Sequence, residues 1–113
     1  MEARAVARFV RMSPRKARLV IDAIRGKDVN EALKIVRLAS QKAAQPIRKT
    51  LESAIANAEN NFDVDVDDLV VVRAAVDMGR ALRRMQPRAY GRADIIRHAT
   101  SHITIVVGDK GRA

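Results

Sequence analysis

GRALRRMQPRAYGRADIIRHAT, residues 79–100, is the stretch around which the rest of the chain must be arranged. Its charged residues are Arg80, Arg83, Arg84, Arg88, Arg92 and Arg97 against a single acid, Asp94. A segment of such charge density repels itself and builds no core. Strongly apolar, strand-like runs stand on both sides of it, LVVVRAAV at 69–76 and HITIVV at 102–107. Two strands joined by a long basic connection predict an extended β-hairpin, an arm spanning about residues 79–100. At ~3.3 Å per residue, about ten residues a side would reach roughly 30 Å beyond the body. A solvated loop is the plainer reading of a long connection. The arm is favoured because Gly79, Pro87 and Gly91 punctuate the stretch where turns are needed. An arm this basic is stabilised only when a polyanion surrounds it.

The remainder of the chain is globular in composition. Its 113 residues suit one domain, 1–113, and 48% are apolar. Aromatic residues make up only 3% (Phe9, Phe62 and Tyr90), so the core must come from Ala, Val, Ile and Leu. The formal charge is +9 at pH 7 and the pI about 11.0, the balance expected of a protein that meets nucleic acid or another anionic surface. Of the 22 basic residues, only Lys16, Lys27, Lys34, Lys42, Lys49 and Lys110 are lysines. Arginine's planar fork binds phosphate bidentately and stacks on bases, so the bias favours structured nucleic acid over diffuse attraction. With no cysteine, disulfides, thiolate zinc sites and cysteine nucleophiles are excluded. No apolar run approaches the ~18 residues of a membrane span, and the first residues lack a signal-peptide core. The expected setting is therefore intracellular and soluble.

In chain order, Glu2–Met12 reads as a strand with Ala3, Ala5, Ala7 and Phe9 on one face and Arg4, Val6, Arg8 and Val10 on the other. Ser13-Pro14 predicts a helix start, with Ser as N-cap and Pro at the first position; Gly26 is the matching stop. Ala17, Val20, Ile21 and Ile24 form its apolar stripe, and Arg15, Arg18, Asp22 and Arg25 share the opposite face beside Lys16. That basic face at a helix start is a candidate phosphate surface. Asp28 and Glu31 suggest a capping box for a second helix running to about Ser40, with Val29, Ala32, Leu33, Val36 and Ala39 inward. A third helix, Ala43–Asn60, tolerates Pro46 only in its first turn and buries Ile47, Leu51, Ala54, Ile55 and Ala58. Leu69–Asp77 predicts a strand with Val70, Val72, Ala74 and Val76 against Leu69, Val71, Arg73 and Ala75. Ser101–Asp109 is the return strand, with Ile103, Ile105 and Val107 on one face. Three strands cannot cover both of their faces with each other. The predicted fold is α+β, with three helices packed on one face of a small three-stranded antiparallel sheet and a long β-hairpin arm.

Residue patterns that would carry other chemistry fail on spacing. Asp63, Asp65 and Asp67 alternate like a calcium loop, but the mid-loop Gly and terminal Glu are missing. His98 and His102 would be i, i+4 ligands on a helix. On an extended chain residues four apart are about 13 Å away from each other. Backbone or phosphate hydrogen bonding suits these histidines better. Neither Ser13 nor Ser101 sits in a hydrolase elbow, and no phosphate loop or dinucleotide fingerprint occurs. No enzymatic activity, metal or cofactor is expected.

At Pro87-Arg88-Ala89-Tyr90-Gly91-Arg92-Ala93-Asp94 and Thr100-Ser101-His102-Ile103-Thr104 the sequence resembles the bacterial large-subunit ribosomal protein L-twenty-two family. Ser13-Pro14-Arg15-Lys16-Ala17-Arg18, Ile24-Arg25-Gly26-Lys27 and Ala54-Ile55-Ala56-Asn57-Ala58-Glu59-Asn60-Asn61 carry the same resemblance, in family order over nearly the whole chain. The chain departs from the family pattern at Met78 and Arg80, where Glu and Pro are usual, and at His98-Ala99, where a basic pair is usual. The resemblance implies a monomer seated on several domains of large-subunit rRNA in the cytoplasmic ribosome, with a part in subunit assembly. It implies neighbouring ribosomal proteins including L-four, and no membrane. It also implies an arm whose tip lines the peptide exit tunnel beside the nascent peptide. On this sequence the tip comprises Arg83, Arg84, Met85, Gln86, Pro87, Arg88, Ala89 and Tyr90. The candidate rRNA contacts on the body are Arg4, Arg8, Arg11, Ser13, Arg15, Lys16, Arg18, Arg25 and Lys27. On the arm and its exit they are Arg80, Arg83, Arg84, Arg88, Arg92, Arg97, His98 and His102. The alternative from another class is an architectural DNA-binding protein that wedges Pro87 and Arg88 into a minor groove. Such proteins dimerise through broad apolar faces, whereas the helix stripes here are all used by one sheet.

Overall fold

A computed structural model of the chain describes residues 1–39, 42–79, 82–87, 93–98 and 100–109. The elements run β1 (Glu2–Val10), α1 (Pro14–Ile24), α2 (Val29–Leu38), α3 (Ala44–Phe62), a 3-10 turn (Val66–Asp68), β2 (Leu69–Met78), β3 (Leu82–Pro87), β4 (Ala93–His98) and β5 (Ser101–Asp109). Strands β1, β5 and β2 form an antiparallel sheet in that order, with β5 central. β3 and β4 form a separate antiparallel ladder from Leu82↔His98 to Pro87↔Ala93, as expected of a hairpin arm. The molecule measures 63 × 26 × 21 Å, and its radius of gyration of 17.1 Å exceeds the roughly 13 Å of a compact chain this long.

The apolar stripes dictate the layering. Helix α1 lies against β2, and α3 lies against β1 and β5. Ile21, Ile24, Ile47, Leu51, Leu69, Ile103 and Ile105 are fully buried between the two layers. Alanines 17, 54 and 58 are buried with them, and their small side chains let the helices approach the sheet closely. Pro46 falls in the first turn of α3, where the missing N–H costs nothing. Asp63 caps the far end of α3 in the left-handed region (φ 56°).

Gly26 follows α1 with φ +77°, as its stop role requires. Its N–H donates to Val71 O (3.1 Å), and Val71 N–H donates back to Lys27 O (2.8 Å), so the α1–α2 turn is pinned to β2. Ser13 and Asp28 stand at the expected N-cap positions, yet neither side chain makes a cap hydrogen bond. The expected reciprocal capping box at α2 therefore does not close. The acidic segment after α3 is the expected helix-to-strand connection. Asp65 accepts from Asp67 N–H across the 3-10 turn, and Asn30 Nδ2 donates to Asp67 Oδ1 (2.9 Å).

Two strand faces differ from the expected alternation, each because of a β-bulge. In β1 the pairing jumps from Ala7↔Ile103 to Val10↔Ser101, so Arg8 and Phe9 together oppose His102. Ala3 and Ala5 are buried, but Phe9 leaves that face and is exposed, while Val10 packs against the core. In β2 the pairing runs from Val71↔Val107 to Arg73↔Val106, which leaves Val72 as the extra residue. The buried set is therefore Leu69, Val71, Ala74 and Val76, and Val72 faces out. An inserted residue shifts the two-residue period by one, so a bulge keeps both ends of a strand facing the same core.

Candidate nucleic-acid interface

The end of β1, the start of α1 and the start of α3 converge on a groove of about 860 Å³. Val10, Met12, Leu19, Ala43 and Pro46 supply an apolar floor and wall; Arg11, Lys16, Lys42 and Lys49 supply the cations, with Ser13 and Gln45 between them. No carboxylate lines it among the described residues, and neither α1 nor α3 carries an acid in its first turn. Four positive side chains with no carboxylate among the described lining residues, beside two helix starts, favour an anionic ligand. A second concavity continues the charge along α2 and α3, through Arg37, Lys42 and Arg48. Arg48 approaches Glu52 at 3.7 Å, an exposed pair too long and too wet to neutralise it.

The candidate residues named from sequence separate into groups. Arg11, Ser13 and Lys16 line the groove, and Arg15 is exposed beside it. Arg4 and Arg8 are exposed on β1, and Lys27 is exposed in the α1–α2 turn. Arg18 and Arg25 have work inside the fold. Arg18 donates through Nε and Nη2 to Val76 O (3.2 and 2.9 Å). Arg25 donates through Nε and Nη2 to Ala74 O (3.2 and 2.8 Å), and its Nη1 meets Asp22 Oδ1 at 2.9 Å. β2 borders the sheet, so these carbonyls have no neighbouring strand to bond. His102 accepts the Phe9 N–H at Nδ1 (3.1 Å) and stands edge-on to the Phe9 ring, the centroids 4.8 Å apart. That is the backbone role expected of a histidine here.

On the arm, the β3–β4 ladder holds Arg83, Arg84, Met85, Gln86 and Pro87 on one strand and Arg97 and His98 on the other. Its register sets Arg83 directly opposite Arg97, and Gln86 opposite Asp94. Like charges directly opposite destabilise a strand pair. Arg80, Arg88, Ala89, Tyr90 and Arg92 lie outside the described residues. Sequence reading missed Lys42 and Lys49. Lys42 precedes α3 and Lys49 stands off the buried stripe of that helix, seven residues further on, and packing alone brings both to the α1 start. Among the described residues no three potential ligands group as a metal site, and no helix is long and apolar enough to cross a membrane.

Fold and site together define a small, strongly basic α+β protein with a hairpin arm and a groove suited to a polyanion. Comparison with known proteins narrows the class. The family described as Ribosomal protein L22p/L17e matches residues 5–108. The chain is similar to the large ribosomal subunit protein uL22 of Desulforamulus reducens, 59% identical over 97% of each chain. It is also similar to uL22 of Carboxydothermus hydrogenoformans, 60% identical over 97% of each chain. With uL22 of Fusobacterium nucleatum it shares 59% identity over 97% of this chain and 99% of that one. The chain belongs to the ribosomal protein L22p/L17e family. It is thus a structural protein and not an enzyme, and the architectural DNA-binding alternative is set aside.

Proposed function

We propose that this protein, a structural constituent of the large subunit of the cytoplasmic ribosome, acts by binding large-subunit rRNA at the groove and along the arm. The observation that carries this reading is the groove itself: Arg11, Lys16, Lys42 and Lys49 gathered at or beside the ends of three elements, with no acid among the described lining residues. Cations so placed neutralise crowded phosphates and release their counterions. The arm supports the same reading, because a register that sets two arginine positions directly opposite each other is favoured when a polyanion offsets their charge. The exposed Arg4, Arg8, Arg15 and Lys27 extend the contact to further rRNA segments, which ties those segments together during assembly. The whole chain, 1–113, works as one such unit. The arm tip, Arg83 to Tyr90, lines the peptide exit tunnel beside ribosomal protein L-four and the nascent peptide.

Sedimentation of the tagged protein from lysate through sucrose gradients, at moderate and high salt, tests this. Co-migration with the large subunit that survives the high-salt wash is the expected result. Release as a free monomer at moderate salt, or migration with the nucleoid, would overturn it.

A further inference from the structure

We propose that Phe9 is a stacking platform for an unpaired rRNA base at the root of the arm, an inference that rests on the rRNA-binding reading above. Phe9 adopts φ +55°, a backbone region that bulky side chains rarely enter and that glycine enters freely. The bulge places it there and turns its ring off the core face, so that 59% of the residue is exposed. Bulges commonly re-aim a side chain in this way. A glycine would serve the backbone better, and the ring adds little to the core. Its conformation is explained by what the ring does outside.

The ring is also held in place. The Phe9 N–H is fixed on His102 Nδ1 at 3.1 Å, and the His102 ring stands at 87° to the phenyl ring. His102 is wedged in turn against Gly79, where a Cβ would come within 3.2 Å of the imidazole. Arg8 and Arg11 flank Phe9 in sequence and are exposed. A rigid, exposed aromatic ring among arginines, beside a cationic groove, has the chemistry of single-stranded nucleic-acid recognition: phosphates on the guanidinium groups, a base on the ring. The partner chemistry is any unpaired base, since every base has a π face and the ring offers no hydrogen-bond pattern to choose among them.

Two substitutions in the full-length protein test this against a transcript of bacterial large-subunit rRNA. Phe9→Gly relieves the backbone strain and removes the ring. Its melting temperature should equal or exceed that of the parent, its affinity at fixed salt should fall about tenfold, and its salt slope should not change. The chain has no tryptophan, so Phe9→Trp introduces a single reporter in the proposed contact. That variant should bind within about threefold of the parent, and rRNA should quench the indole emission. Affinity of Phe9→Gly within twofold of the parent, or an indole emission that rRNA leaves unchanged, would overturn the inference while leaving the rRNA reading standing. A parent protein that does not bind the transcript would overturn both.

Discussion

Replacing Arg18 and Arg25 together with alanine separates a folding role from an RNA role for helix α1. Each guanidinium places two N–H groups on one carbonyl of β2, Val76 O or Ala74 O, at 2.8–3.2 Å. Hydrogen bonds from a charged group contribute roughly 1.5–3 kcal/mol when buried. Half of the Arg25 side chain is exposed, so solvent screening lowers this to about 1 kcal/mol per arginine. The Arg25–Asp22 pair, at 50% and 62% exposure, adds nothing measurable. The double variant should therefore lose about 2 kcal/mol. At roughly 2.1 cal/mol/K per residue, unfolding a chain of this length carries an entropy near 0.24 kcal/mol/K, so the melting temperature should drop by about 8 °C. Thermal denaturation followed by circular dichroism measures it, and rRNA binding between 50 and 200 mM salt supplies the control, with an unchanged slope expected. A melting temperature within 2 °C of the parent, combined with a slope shallower by about two units, would refute the reasoning and return both arginines to the phosphate backbone.

Removing the groove charges with Arg11→Ala, Lys16→Ala and Lys49→Ala should leave the melting temperature nearly unchanged and flatten the salt dependence of rRNA binding by about 2–3 units of slope, read by filter binding across a salt series. Gly79→Ala should lower the melting temperature by several degrees, because its Cβ would stand 2.5 Å from Thr100 Oγ1 and 3.2 Å from the His102 ring; amide exchange at position 79, where the parent's N–H donates to Thr100 O, should be faster in the variant. Asp63→Gly should stabilise the fold by about 0.5–1 kcal/mol, or 2–4 °C, because the residue sits at φ 56° beyond α3; a lower melting temperature would show that the carboxylate does more than tolerate that conformation.

The helices were legible because their period is internal to each segment. Ala17, Val20, Ile21 and Ile24 mark their shared face whatever lies opposite, and Pro14 and Gly26 mark the ends. The arm was legible for a similar reason: a basic run with turn residues between two apolar strands has few other outcomes. The bulges at Phe9 and Val72 were not. A bulge is a property of two strands in register, and the alternation of one strand holds no record of how its partner is counted. The same limit governs the site. Arg11, Ser13 and Lys16 are neighbours in sequence and could be grouped by reading. Lys42 and Lys49 reach them only because α3 starts beside α1. Arg18 and Arg25 were legible as charges, but their carbonyl acceptors lie more than forty residues away in sequence.

The borders of the sheet have a further consequence. On β2, Arg18 and Arg25 occupy the carbonyls of Val76 and Ala74, and Gly26 occupies that of Val71. On β1, at the other border, Asn57 Nδ2 takes Arg4 O at 2.9 Å. Open strand borders recruit foreign strands and seed aggregates, and plugging their acceptors with cationic and amide side chains denies them that partner. Arg18 and Arg25, whose charge alone suggests phosphate ligands, thus fill acceptors along an open border that would otherwise invite a second copy of the chain.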